Sequence, residues 1–98
     1  MTTLTIKKST RKNKKYMAIF YDRRNKKTTT SHFGSAGMDD YTITKDKDQR
    51  ERYRKRHAKD LNTNDPKKPG YLSLGLQWGD STNLQTNIRK YKKKYNFT

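Results

Sequence analysis

The chain has 98 residues, which is enough for one domain. It carries 25 Lys and Arg against 9 Asp and Glu, a net charge of +16, and no cysteine. That composition excludes a disulfide framework and a thiolate metal site, and no apolar run is long enough for a membrane span.

In chain order, Thr3–Lys8 reads TLTIKK, with Leu4 and Ile6 on one side, a short strand by alternation. Residues 9–15 are a polar, basic run, suited to a flexible arm or one wide hairpin loop. Residues 16–21, YMAIFY, are β-prone, residues 22–27, DRRNKK, hold turn-compatible Asp and Asn, and residues 28–33, TTTSHF, are strand-compatible. Together they predict a hairpin with a basic tip. A lone hairpin is marginal in water, so the strand carrying Leu4 and Ile6, or a helix, is expected to cover it. Gly34 and Gly37 break the pattern as a turn. They lack the length and the Lys-Ser/Thr ending of a phosphate-binding loop.

Residues 45–60, KDKDQRERYRKRHAKD, predict one basic helix with its acids early and its cations late, as the helix dipole favours. Asp46 and Gln49 have capping-box spacing. Tyr53, His57 and Leu61 recur every four residues, with Ala58 beside them, as a stripe expected to pack on the sheet. Residues 62–70 form a linker. Residues 71–78, YLSLGLQW, are the one strongly apolar segment; they fit a strand by alternation or a short buried helix, Gly75 suits neither, and Pro69 in front favours the helix. Thr82 and Gln85 suggest the cap of a last helix whose stripe is Leu84, Ile88, Tyr91 and Tyr95. The expected architecture is α+β: an N-terminal antiparallel hairpin or three-stranded sheet, a basic central helix and a C-terminal helical segment.

Core material is scarce. Leu, Ile and Phe total 13 residues and Val is absent, so the expectation is a marginal domain that gains order on binding.

The charge speaks about partners. Three clusters stand out: Arg11, Lys12, Lys14 and Lys15; Arg23, Arg24, Lys26 and Lys27; and Arg89, Lys90, Lys92, Lys93 and Lys94. Arg50 and Arg54 add a helical pair. Converging on one face, these would form a groove for a phosphodiester chain. Lys outnumbers Arg 17 to 8, which favours backbone neutralisation over base reading. The five cations of residues 89–94 also repel one another, so residues 89–98 are expected to fray until a polyanion binds.

Other constellations carry less. Tyr16, Phe20, Tyr21, Tyr91 and Tyr95 interleave the cations and could stack on bases, but each also fits a core stripe. His32 and His57 with Asp39 and Asp40 lack metal-site spacing. The reading is therefore a non-enzymatic binder with no cofactor, metal or small-molecule substrate. The expected partner is nucleic acid, duplex DNA in particular. The alternative is a minor capsid component whose cations meet acidic faces of shell proteins.

The run HFGSAGMDDYTITKDKDQRERYRKRH at residues 32–57, with PGYLSLGLQW at residues 69–78, resembles a family of small basic proteins of unassigned function from large nucleocytoplasmic-type DNA viruses. The likeness departs from that pattern at Lys45 and across residues 60–68. It implies a virion-associated or virus-factory protein, in the particle or in the host nucleus or cytoplasm during assembly. It supplies no catalytic residues. A looser likeness is to the three-stranded sheet plus helix of plant-type and integrase-arm DNA-binding domains, a matter of architecture alone.

Overall fold

Alternating apolar residues build an antiparallel meander in the order β1-β2-β3, with β1 Thr3–Lys8, β2 Lys14–Tyr21 and β3 Lys27–Ser35. The computed structural model describes residues 2–24 and 26–98. Asn25, one of the turn formers expected at the β2–β3 tip, lies outside the described residues. The register pairs Leu4 with Phe20, Ile6 with Ala18 and Tyr16 with Phe33. Side chains alternate across a strand, so Leu4, Ala18, Phe20 and Phe33 gather on one face and are buried there.

Residues 9–15 are a hairpin connection rather than an arm, for the Ser9 N–H donates to the Lys15 carbonyl at 2.9 Å. At the other tip, Asp22 Oδ1 accepts from the N–H groups of Arg24 and Lys26 at 2.8 and 2.9 Å. Gly34 and Gly37 have φ of 76° and 80°, where an L side chain is strained. A Cβ on Gly34 would also stand 2.6 Å from the Gln77 side chain.

Five helices follow: α1 Tyr41–Thr44, α2 Lys47–Arg56, α3 Ala58–Leu61, α4 Pro69–Leu76 and α5 Leu84–Lys94. Pro69 opens α4, as expected. The expected single helix over residues 45–60 is divided. Lys45 closes α1 in the left-handed region at φ 57°, Asp46 caps α2 through the N–H groups of Asp48 and Gln49, and His57 breaks the run with ψ near 29°. The capping box closes differently too, for the Gln49 side chain takes the Thr44 hydroxyl at 2.7 Å.

The stripe of Tyr53, His57 and Leu61 does not meet the sheet. It faces α4, and α4 is the helix that packs on β3. The reason is hydrophobic content: α4 buries Tyr71, Leu72, Leu74 and Leu76, while α2 buries no residue. The segment able to fill the space against the sheet takes that place, and α2 is left as an outer layer.

α5 is capped by Asn83, which accepts from the Thr86 N–H at 3.2 Å, so the cap expected at Thr82 lies one residue too early. Ile88 and Tyr91 join the core, with Leu84 and Tyr95 packed at its edge. The tail is tied down rather than frayed. The Leu4 N–H donates to the Thr98 carbonyl and the Thr98 N–H to the Thr2 carbonyl, both at 2.9 Å, and Phe97 meets Phe20 edge-on at 5.6 Å. The radius of gyration, 13.0 Å, is that of a globular domain of about 100 residues. Aromatic rings fill the volume that missing aliphatic residues would have occupied.

Candidate nucleic-acid interface

The fifteen cations proposed as one groove do not share a face. Arg11, Lys12 and Lys14 sit at the β1–β2 tip, and Arg23, Arg24, Lys26 and Lys27 sit at the opposite end of the strands. Arg89, Lys90, Lys92, Lys93 and Lys94 lie on α5, in the helical layer. All of these except Lys14 and Lys92, which are half-buried, are exposed.

Three of the fifteen are engaged inside the protein. Arg50 Nε donates to the carbonyls of Trp78 and Gly79 at 3.2 and 2.8 Å, and its Nη2 meets Asp80 at 2.9 Å. Arg54 Nη1 donates to the carbonyls of Leu74 and Trp78 at 3.0 and 2.9 Å. One turn apart on α2, these guanidiniums take the Leu74 carbonyl in the last turn of α4, which has no partner within its own helix, and the carbonyls of Trp78 and Gly79 just beyond the helix end. Burial, with the Arg50 charge adding to it, lowers the Arg54 pKa from its ordinary value. Replacing Arg54 by Ala should cost about 1.5–3 kcal/mol, the range for hydrogen bonds from a charged donor. The exposed Arg56→Ala should change stability by less than about 0.5 kcal/mol. Equal melting temperatures for the two variants would refute the capping role.

Lys15 is the third. Its Nζ pairs at 3.2 Å with Asp40, a carboxylate 1% exposed. Asp40 also caps α1 by accepting from the Thr42 N–H at 2.9 Å and from the Thr42 hydroxyl. Gln77 Nε2 completes the set at 3.0 Å, and Gln77 Oε1 in turn accepts from the Ser73 hydroxyl at 2.9 Å. This network joins β2, α1 and α4. Its carboxylate, with burial as the larger cause, raises the Tyr16 pKa above its ordinary value.

The aromatics that interleave the cations are drawn into the protein to different depths. Phe20 and Tyr91 are buried, and Tyr16, Tyr21 and Tyr95 are half-buried. Burial pushes the Tyr91 and Tyr95 hydroxyls well above their ordinary value. Tyr91 donates to the Pro66 carbonyl at 2.7 Å and Tyr95 bonds Tyr71, so these shifts belong to packing. His57 stacks on Tyr53, which stacks on Trp78, at 4.0 and 4.1 Å. His32 Nδ1 bonds the Ser9 hydroxyl at 2.8 Å. Among the described residues no three His, Asp or Glu side chains group as a metal site, and no helix is long and apolar enough to cross a membrane.

Sequence reasoning missed Asn87, which is buried. Its Nδ2 donates to the carbonyls of Leu76 and Ser81 at 2.8 Å each, joining α4 to α5. An Asn between Thr86 and Ile88 looks polar and exposed. Only its phase, one residue ahead of Ile88 on the inward face, could have flagged it.

The family of unknown function DUF5754 matches residues 4–57 of the chain, more than half its length. The chain belongs to this family. The match takes in all three strands, α1 and α2, and ends at His57. Within it lie Asp40, whose side chain caps α1, Asp46, which caps α2, Arg50 and Arg54, which reach the carbonyls of residues 74–79, and His57, which bonds the Tyr53 carbonyl. α4 and α5 fall outside the matched residues. No curated protein and no solved structure matches the chain.

Proposed function

We propose that the protein is a non-enzymatic nucleic-acid binder that engages the phosphate backbone largely without reading sequence. One observation carries this reading. Among the described residues only Lys15 and Arg50 make ion pairs, while both hairpin tips and α5 present exposed cations to solvent. An excess of +16 is beyond the net charge of about 2–8 that keeps a small domain soluble. Lysine, the commoner cation, neutralises phosphate as a point charge.

The setting we propose is a virus particle or factory, supported by the likeness carried by residues 32–57 and 69–78. Titration with short duplexes of permuted sequence tests the binding. The expected result is a Kd on the order of 10⁻⁶ M at physiological salt, unchanged by permutation. A single sequence bound about a thousandfold tighter would overturn the sequence-blind reading. Absence of binding at low salt would overturn the nucleic-acid reading and move the cations' partner to acidic faces of shell proteins.

A further inference from the structure

In the helical layer, α4 contacts both α3 and α5. Beside it runs a cleft of about 170 Å³ whose charged lining is Arg54, Lys90, Lys94 and Asp80. Asp80 is already paired with Arg50 at 2.9 Å, and Arg54, Lys90 and Lys94 make no ion pair with a described residue. Three cations therefore share one small space whose acid is taken. Arg54 is half-buried. Its Nη1 is engaged by the carbonyls of Leu74 and Trp78, which fixes the plane of the guanidinium. Nε and Nη2 are the other donors of the fork. They bond no described residue, and no buried side-chain nitrogen lacks a partner, so solvent reaches them. A partly buried charge with no opposite charge against it is destabilising, and an anion in the cleft relieves it. Lys90 and Lys94 are neighbours at i, i+4 on α5. Lys94 Nζ stands 5.4 Å from the centre of the Tyr95 ring, which also lines the cleft. The tyrosine hydroxyls there are occupied, Tyr91 on the Pro66 carbonyl and Tyr71 with Tyr95 on each other. What these residues offer a ligand is ring surface.

Resting on the nucleic-acid reading above, we infer that this cleft holds the phosphorylated end of a nucleic-acid strand. The terminal phosphate sits on Arg54, Lys90 and Lys94, and the end nucleoside lies against the tyrosine rings and Leu61. Charge and size select an end over the middle of a strand. A phosphate monoester carries about −1.5 to −2 near pH 7, whereas each phosphate inside a strand carries a single charge. Three converging cations suit the higher charge, and a guanidinium fork can take two phosphate oxygens at once. The volume is close to the roughly 150 Å³ that holds one benzene ring. It is well short of the roughly 300 Å³ at which sites for drug-sized ligands begin. A free nucleotide carries the same group. The strand end is favoured because the exposed cations of the hairpin tips and of α5 can hold the rest of a strand, which a mononucleotide does not have.

The test uses the full chain and duplexes of one sequence, about twelve base pairs long, roughly one helical turn. Their short overhangs end in a 5′-phosphate, a 3′-phosphate or hydroxyls alone. A phosphorylated end should bind at least about tenfold tighter than the hydroxyl ends, through charge-assisted contacts that the hydroxyl form lacks. Lys90→Ala combined with Lys94→Ala should erase that preference. Arg89→Ala combined with Lys93→Ala removes the same charge from the same helix, at positions outside the cleft lining, and should keep it. All four residues are exposed, so both double variants are expected to fold. Arg54 stays in place because it also holds the end of α4. Equal affinity for all three ends, or a preference lost alike in both double variants, would overturn the cleft assignment while leaving backbone binding intact. A free nucleoside monophosphate that binds as tightly as the phosphorylated end would overturn the strand end as the source of the phosphate. No binding of any duplex would instead remove the functional reading beneath it.

Discussion

Replacing Asp40 by Ala should lower stability by about 3 kcal/mol. Removing one partner of a buried ion pair costs roughly 3–5 kcal/mol. Here the stranded cation, Lys15, keeps a side chain 17% exposed, so it can turn to water, and the lower end of that range applies. The rest of the cost falls on groups that cannot leave. The Thr42 N–H loses its cap acceptor and Gln77 Nε2, deep in the interior, loses its carboxylate. A buried donor without a partner costs about 1–3 kcal/mol. For a domain of this length the melting temperature moves by about 4–8 °C per kcal/mol, so a fall of more than 10 °C is expected, read by thermal unfolding followed by circular dichroism. The neighbouring carboxylate is the control. Asp39 is exposed, and Asp39→Ala should leave the melting temperature within a few degrees. A small shift for Asp40→Ala would mean that the network does not hold α1 and α4 to β2.

The largest expected effect is on affinity. Raising salt from 50 to 200 mM should weaken duplex binding by roughly 10³–10⁵, as for proteins that neutralise about 6–10 phosphates. The slope of log K against log salt is about −0.9 per phosphate neutralised. If the tip residues Arg11, Lys12, Lys14, Arg23, Arg24, Lys26 and Lys27 all reach phosphate, the slope is about −6. Adding Arg89, Lys90, Lys92, Lys93 and Lys94 would steepen it to about −11. The slope therefore counts contacts and also separates a one-sided interface from one that wraps both layers. A flat response would show that the cations do not meet a polyelectrolyte, and the backbone reading would fall with it.

Local periodicity and local chemistry were legible. Two-residue alternation marked β1, β-prone and β-branched residues marked β2 and β3, and Pro69 marked the start of α4 because its fixed φ suits the first helical turn. Asp46 announced the N-terminus of α2, since its side chain supplies the acceptor that the free amides need. Leu84, Ile88 and Tyr91 showed the inward face of α5 for the same kind of local reason, a 3.6-residue period.

What the chain's order could not reveal is which surfaces meet and which charges are consumed. Arg50 and Arg54 read as two more cations of a basic helix. Only the arrival of Trp78 and Gly79 opposite them turned them into caps. Lys15 is, by composition, indistinguishable from Lys14, yet one is paired with a buried carboxylate 25 residues away and the other is not. Tyr53, His57 and Leu61 formed a true stripe, but a stripe does not state its partner, and α4, with more apolar area to bury, took the sheet. Net charge and strand pattern are sums over the chain and its neighbours in order. The division of the cations between two hairpin tips, a helix and the interior arises from contacts between distant residues and was decided by tertiary packing alone.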